Sequence, residues 1–130
     1  MGLFTSKLKV WNPAAPERVE EVELWVDTGA SYSWISRARL EPLGIRPTRR
    51  RQFRTIEGKF LDRDMAPVFV EAEGFVGGDN VVFAEAGDAE VMGAYTLECL
   101  GLAADVVEKK LVPTVGMALT VPQGPMKRGD

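Results

Sequence analysis

The run from Val19 to Val26 sets Val19, Val22, Leu24 and Val26 against Glu20, Glu21 and Glu23, and it ends in Asp27-Thr28-Gly29. Apolar residues at near-alternate positions place one set of side chains on each face of a strand, so this segment has a buried face and a wet one. At its end the chain must leave the sheet through an acidic turn. Gly29 allows close backbone approach or a positive φ there, and the Thr28 hydroxyl is placed to tie the turn to neighbouring backbone. On these three residues alone two readings stand. One is an ordinary strand-end turn, since Asp, Thr and Gly are all turn formers; the other is a carboxylate presented from a rigid strand.

The same pattern recurs along the chain. Lys7 and Lys9 alternate with Leu8 and Val10, and Asn12-Pro13-Ala14-Ala15-Pro16 is a turn signal, so the first two strands are expected to form a hairpin. A short helix is expected over Ser36–Leu43, with Ser36 as N-cap and Gly44 as stop. Phe53 to Val70 holds two extended stretches around a Glu57-Gly58 turn, and Pro67 to Ala72 is expected to be a further strand. Gly77-Gly78-Asp79-Asn80 is expected to turn into a strand at Val81–Ala84. A second helix is expected over Tyr95–Leu102 and a last core strand over Lys109–Val112, with a frayed end from Val121 to Asp130. The expectation is one domain of 130 residues, mainly β with two short helices and no interior linker.

Composition narrows the chemistry. The chain has no histidine and a single cysteine, Cys99. That removes Ser-His-Asp and Cys-His nucleophile activation, an internal disulfide, and the usual zinc ligand sets. A hydrolase built on this chain must use carboxylates, Lys or Tyr for acid–base work. No spacing among the acidic residues suggests metal ligands, so no metal and no cofactor is expected. A net charge of −3 argues against general attraction to nucleic acid, and no apolar run is long enough to cross a bilayer. Met1 to Lys7 lacks the apolar stretch of a secretory signal, so the default expectation is a cytoplasmic protein.

Several residues have plain readings. Trp11, Trp25 and Trp34 are expected to pack in the core or an interface, with Trp34 lining a pocket as the other reading. Cys99 is expected to be a small buried apolar residue. Arg49-Arg50-Arg51 with Arg54 reads as a solvated strand face, or else as a contact for an acidic partner or nucleic acid.

Val26-Asp27-Thr28-Gly29-Ala30-Ser31, followed by Ser33-Trp34-Ile35, resembles the active-site segment of retropepsin-like aspartic proteases. About sixty residues later those proteins carry two apolar residues and a glycine opening a short helix; here Val91-Met92-Gly93 leads into Ala94 to Leu102. The stretch from Gly93 to Pro113 is similar to the single-domain bacterial and archaeal members, and Arg54 to Phe60 lies where the family has its flap hairpin. The resemblance runs from about Glu17 to Pro113.

The resemblance implies a retropepsin-like acid protease barrel over residues 1–113, with 114–130 as an extension that supplies an interface strand and then a frayed tail. One Asp-Thr-Gly per chain implies a homodimer in which two Asp27 side chains face each other across the two-fold axis. Two carboxylates at that distance share one proton and titrate as a pair, for which aspartic proteases are themselves the standard illustration. The ionised member takes a proton from water and the protonated member polarises the scissile carbonyl of a peptide or protein substrate. By the same carry-over Thr28 braces the two loops and Gly29 receives substrate backbone. Ala30 and Ser31 line the cleft, and Ile56, Glu57 and Gly58 lie at or near the flap tip. No nucleic-acid or membrane partner is implied. The chain departs from retroviral members at Ala94, where many have Arg, at Ser31, where many have Asp, and at a hairpin turn with one glycine. A dimeric module that grips extended peptides without cleaving them is the alternative, and a small nucleic-acid-binding β-barrel using Arg49 to Arg54 is a third.

Overall fold

The computed structural model describes residues 4–122. Among them the chain forms β1 (Thr5–Asn12), β2 (Ala15–Val26), β3 (Ser33–Ser36), α1 (Arg37–Leu40), β4 (Arg49–Arg54), β5 (Phe60–Ala72), β6 (Phe75–Ala84), β7 (Val91–Met92), α2 (Ala94–Leu100), β8 (Leu102–Asp105) and β9 (Lys110–Pro113). Seven strands make one sheet in the order β1-β2-β7-β3-β6-β5-β4, and β1 also pairs with β5. That second pairing, Lys9↔Glu71 to Trp11↔Phe69, curls the sheet back on itself. The result is a mainly β, closed-up structure with two short helices, as the strand periodicity and the resemblance lead one to expect.

The alternating residues do what their period requires. Leu8, Val10, Val22, Leu24, Ile35, Val68, Val70, Val81 and Phe83 meet inside the curled sheet and are almost fully buried. Each such side chain contributes roughly 1.5–3 kcal/mol on leaving water. The first hairpin forms as expected, with Leu8 opposite Val22 and the Ala14 N–H donating to Asn12 Oδ1 at 2.9 Å across the turn. The Asn12 amide then reaches Leu43 O at 3.1 Å, which ties that turn to the helical segment. α1 continues into a single 3-10 turn over Glu41–Leu43 and stops at Gly44, whose φ is 77°. Ser36 holds the N-cap position without a side-chain cap bond; its N–H donates instead to Glu90 Oε1 at 2.9 Å.

Three expectations are corrected. Pro67–Ala72 is the second half of one 13-residue strand, β5. Pro67 falls between the stretch that pairs with β4, ending at Met65, and the stretch that pairs with β1, starting at Phe69, so its missing N–H is tolerated. Gly77 to Asn80 form no turn and lie inside β6. The turn is Glu73-Gly74, where φ is 53° and 82°, the pair of positive values that a two-residue hairpin of the I′ type demands. The glycines are there for space. A Cβ on Gly77 would lie 2.6 Å from Cys99 Sγ, and the Phe69 ring covers Gly78. Cys99 is exposed, its thiol donating to Gly78 O at 3.0 Å, because α2 turns its apolar face through Leu97 and Leu100 instead.

α2 ends at Gly101, with φ 68°, and Leu102 opens β8. β8 and β9 form a separate two-stranded ladder that adds Leu102 and Leu111 to the core. Val121 and Pro122 have no regular structure, and the remainder of the expected frayed end lies outside the described residues. Among the described residues no helix is long and apolar enough to cross a membrane, and no cluster of acidic, Cys or His side chains has the geometry to hold a metal ion.

Candidate active site

β2 delivers Asp27 to the end of the sheet, and β7 decides where it stops. β7 runs parallel to β2, with Trp25 beside Val91 and Val26 beside Met92, and antiparallel to β3 at Trp34. It is therefore wedged between the two strands that flank the acidic turn. The Asp27 N–H donates to Met92 O at 3.0 Å, and the Ala30 N–H donates to Asp27 O at 3.1 Å, closing the turn. Inside it the Gly29 N–H donates to Asp27 Oδ1 at 3.0 Å, which orients the carboxylate.

The far side of the turn is held by the start of α2. Its first N–H groups have no partners within the helix; Ala94 and Tyr95 donate theirs to Ala30 O and Ser31 O, both at 2.8 Å. Gly93 is extended, with φ −92° and ψ 177°, a conformation open to any residue. Glycine is required by proximity: a Cβ there would sit 2.4 Å from Tyr32 O and 2.9 Å from Ala30 O. The Val91-Met92-Gly93 signal is thus the clamp that fixes the acidic turn from behind.

Asp27 opens onto a pocket of about 650 Å³, within the range of small-ligand and peptide side-chain sites. Gly29, Ala30 and Ser31 line it beside Asp27, while Phe53, Arg54, Thr55, Glu57 and Leu61 line it from the β4–β5 hairpin. The hairpin turn is closed by Thr55 N–H to Lys59 O at 2.8 Å and Gly58 N–H to Thr55 O at 2.9 Å, with Gly58 at φ 91°. Tyr32, Trp34 and Val91 complete one wall, and Gly87, Asp88 and Ala89 another. The aromatic wall is braced edge to face, Trp34 on Phe53 at 5.2 Å and Tyr32 on Tyr95 at 5.0 Å between ring centroids. The Arg51 guanidinium lies over the Tyr32 ring and donates to its hydroxyl at 2.6 Å.

Ion pairs stiffen the wall from outside. Arg63 holds Asp88 through two bonds of 2.7 and 2.9 Å, and Asp88 also accepts the Glu85 N–H at 2.8 Å. That arrangement pins the Glu85–Ala89 loop against β5. The Arg63 guanidinium keeps the Asp88 carboxyl below the usual carboxylate range. Arg37 bridges Asp64 and Glu85 at 2.6 and 2.8 Å; with Arg50 also on Asp64, the Asp64 carboxyl is held low chiefly by Arg37 and further by Arg50. Glu85 and Asp64 in turn hold Arg37 charged.

Of the residues that the sequence singles out, Asp27, Gly29, Ala30, Ser31 and Glu57 lie together on the pocket. Thr28 is exposed at the turn, Ile56 is fully exposed at the hairpin turn, and Gly58 lies beside it; none of the three lines the pocket. Trp34 takes its pocket-lining reading, Trp11 stacks on Phe69 at 5.9 Å, and Trp25 is about half exposed. Sequence reasoning did not single out Phe53, Leu61 or the Gly87–Ala89 loop as walls, and no periodic or motif signal marks them.

Fold and site together define a class: a small, curled β lobe that presents a single Asp-Thr-Gly turn to an open pocket beneath a hairpin. The chain belongs to the aspartyl protease family, whose model matches residues 18–94, from β2 through the acidic turn to the start of α2. Comparison with curated proteins returns no match.

Proposed function

We propose that two copies of this chain form an aspartic endopeptidase in which paired Asp27 carboxylates activate water against a peptide bond. The observation that carries this reading is the placement of Asp27. It stands on a turn clamped from β7 and α2 and opens onto a pocket of about 650 Å³ that the β4–β5 hairpin also lines, the hairpin serving as a flap. One carboxylate cannot be both acid and base in the same step, and the chain carries one such motif. A second copy supplies the partner. Thr28, exposed at the turn, is free to reach across the axis, while Gly29 receives substrate backbone, Ala30 and Ser31 line the cleft, and Glu57 approaches from the flap with Ile56 and Gly58 at its tip.

The segment after residue 113 supports the dimer. Val115, Met117, Leu119 and Val121 are apolar, occupy alternate positions and are 81–101% exposed. Alternating apolar side chains left in water suit a strand whose buried face is supplied by another molecule. Residues 1–113 are accordingly proposed as the protease domain and 114–130 as an interface extension.

The test is cleavage of an unstructured peptide library at mildly acidic pH, with Asp27→Asn alongside and sedimentation to establish the oligomer. Cleavage that is lost in Asp27→Asn, is slowed by pepstatin-like inhibitors and tracks the dimer supports the proposal. Full activity in Asp27→Asn, or in a strict monomer, ends it. Tight peptide binding without turnover by a dimer would identify the non-catalytic module instead.

A further inference from the structure

We infer that Asp79 is a positioning residue for the catalytic turn: its carboxylate sets the direction of a buried hydroxyl relay through Thr96 and Ser33 to the Gly93 amide. The inference rests on the reading of Asp27 as the catalytic group. It concerns a residue in β6 that does not line the pocket and that no role in peptide binding or catalysis touches.

The relay joins three elements. The Thr96 hydroxyl, in α2, donates to Asp79 Oδ2 at 2.5 Å. Thr96 Oγ1 lies 2.5 Å from Ser33 Oγ in β3. Ser33 Oγ accepts the Gly93 N–H at 3.0 Å. Ser33 and Thr96 are completely buried, so water does not complete either hydroxyl's bonding. Each hydroxyl has one hydrogen. Thr96 gives its own to Asp79, so Ser33 must give its hydrogen to Thr96, and Ser33 then meets the Gly93 N–H with a lone pair. Every donor has one acceptor, and the carboxylate at the end is what orders the series.

Gly93 is where that order matters. The residue before it, Met92, accepts the Asp27 N–H, and the two residues after it hold Ala30 O and Ser31 O. The relay therefore fixes the point between the two backbone attachments of the catalytic turn. With Tyr32 O and Ala30 O crowding Gly93 Cα on its other side, any slip of Gly93 moves the turn with it.

The surroundings of Asp79 leave this series as the main partner of its carboxylate. The residue across the ladder on β5 is Val68, fully buried. The neighbouring titratable group is Cys99 on α2, an exposed residue whose thiol, partly desolvated against Gly78, is pushed up by that and then by the Asp79 charge. Among the described residues no Lys or Arg forms an ion pair with Asp79. Burial pushes the Asp79 carboxyl above its ordinary value, while the Thr96 hydroxyl and the Asn80 N–H pull it back. A partly buried carboxylate without a cation is costly. Its return here is a fully satisfied polar series.

Four variants test the proposal through two readouts, peptidase kinetics from acidic to neutral pH and the Gly93 amide resonance by NMR. Asp79→Leu and Thr96→Val break the series; Asp79→Asn and Thr96→Ser keep an oxygen at each place. The breaking variants are expected to lose about tenfold or more in kcat with KM within about twofold, the scale of one charge-assisted hydrogen bond. Thr96→Ser should restore kcat. Asp79→Asn should keep most of kcat, while the part of the Gly93 amide's expected acid-range shift that comes from Asp79 should disappear, leaving any shift it shares with the Asp27 turn. Wild-type kcat in folded Thr96→Val, or a Gly93 resonance indifferent to Asp79→Asn, overturns the inference. An inactive wild type would sink the peptidase reading of Asp27 instead, and the Gly93 titration would still decide whether the relay exists.

Discussion

Replacing Gly93 with alanine adds a single methyl group at the point where the wedge strand β7 meets the Asp27 turn. Its φ of −92° suits alanine, so the backbone of residue 93 is not strained by the change. The whole effect is contact. The new Cβ would lie 2.4 Å from Tyr32 O, 2.6 Å from Tyr32 C and 2.9 Å from Ala30 O. These are main-chain atoms, which cannot swing aside as a side chain does. An ordinary carbon contact needs about 3.5 Å, so Gly93 and Tyr32 must part by roughly 1 Å. Overpacking of that kind costs about 1–3 kcal/mol, and fixed backbone on both sides places this case near the upper limit. For a chain of this size that corresponds to a fall in Tm of about 10 °C. The displacement passes into the residues beside Asp27, and a misplacement of about 1 Å at a catalytic group costs roughly 100-fold in rate. Differential scanning calorimetry gives the first number and peptide cleavage at saturating substrate the second. Gly78→Ala, whose Cβ would meet only the Phe69 ring at 3.6 Å, is the control and should leave both unchanged. A Gly93→Ala protein with the wild-type Tm and kcat would refute the clamp; a lower Tm with unchanged kcat would separate the clamp from the chemistry.

Gly29→Ala would bring a Cβ within 3.1 Å of Asp27 Oδ1, so kcat should fall about tenfold while Tm moves little, as read by the same two assays. Gly77→Ala places its Cβ 2.6 Å from Cys99 Sγ and should cost about 1–2 kcal/mol in urea unfolding, most of it recovered when Cys99→Ala removes the opposing sulfur. Arg63→Met breaks the paired bonds to the little-exposed Asp88 carboxylate and should cost about 1.5–3 kcal/mol at neutral pH, with KM raised as the Gly87–Ala89 wall loosens. Because Arg63 holds the Asp88 carboxyl low, its stabilisation is complete above the ordinary aspartate value of about 3.9 and is lost as pH falls below it. A Tm–pH series should show that acid loss in the wild type and a smaller one in Arg63→Met. Truncation after Thr114 should leave a folded chain that sediments as a monomer and cleaves nothing; a truncated dimer would dispose of the interface extension.

The parts of this protein that were legible in its sequence are those that local chemistry dictates. Alternation from Lys7 to Val10 and from Val19 to Val26 foretold the first hairpin, because the strand period depends only on the neighbours along the chain. Gly44 foretold the end of the first helical segment, because only glycine takes a φ of 77° at no steric cost. The Asp27 turn and the Val91-Met92-Gly93 partner were visible as motifs, together with most of the residues flanking Asp27 on the pocket. The hairpin tip was only half legible: Glu57 faces the pocket, whereas Ile56 points wholly to solvent.

Other features waited on tertiary structure. Gly77 and Gly78 read as a turn because glycine has two uses, positive φ and close approach, and a sequence does not say which one applies. Only the nearness of Cys99 Sγ and the Phe69 ring decides it. Cys99 itself faces out because Leu97 and Leu100 fix which face of a seven-residue helix is buried. Phe53, Leu61 and Asp88 become pocket walls only when β4, β5 and the Glu85–Ala89 loop are folded over Asp27. Asp79 looked like a loop residue and stands at the end of a buried relay that spans 60 residues between Ser33 and Gly93. The first hairpin, the acidic turn and the family were written in adjacent residues and could be read from the chain alone. The closure of the sheet, the walls of the pocket and the bracing of the Asp27 turn had to wait for the fold, because they are contacts between residues whose proximity exists only once the chain has folded.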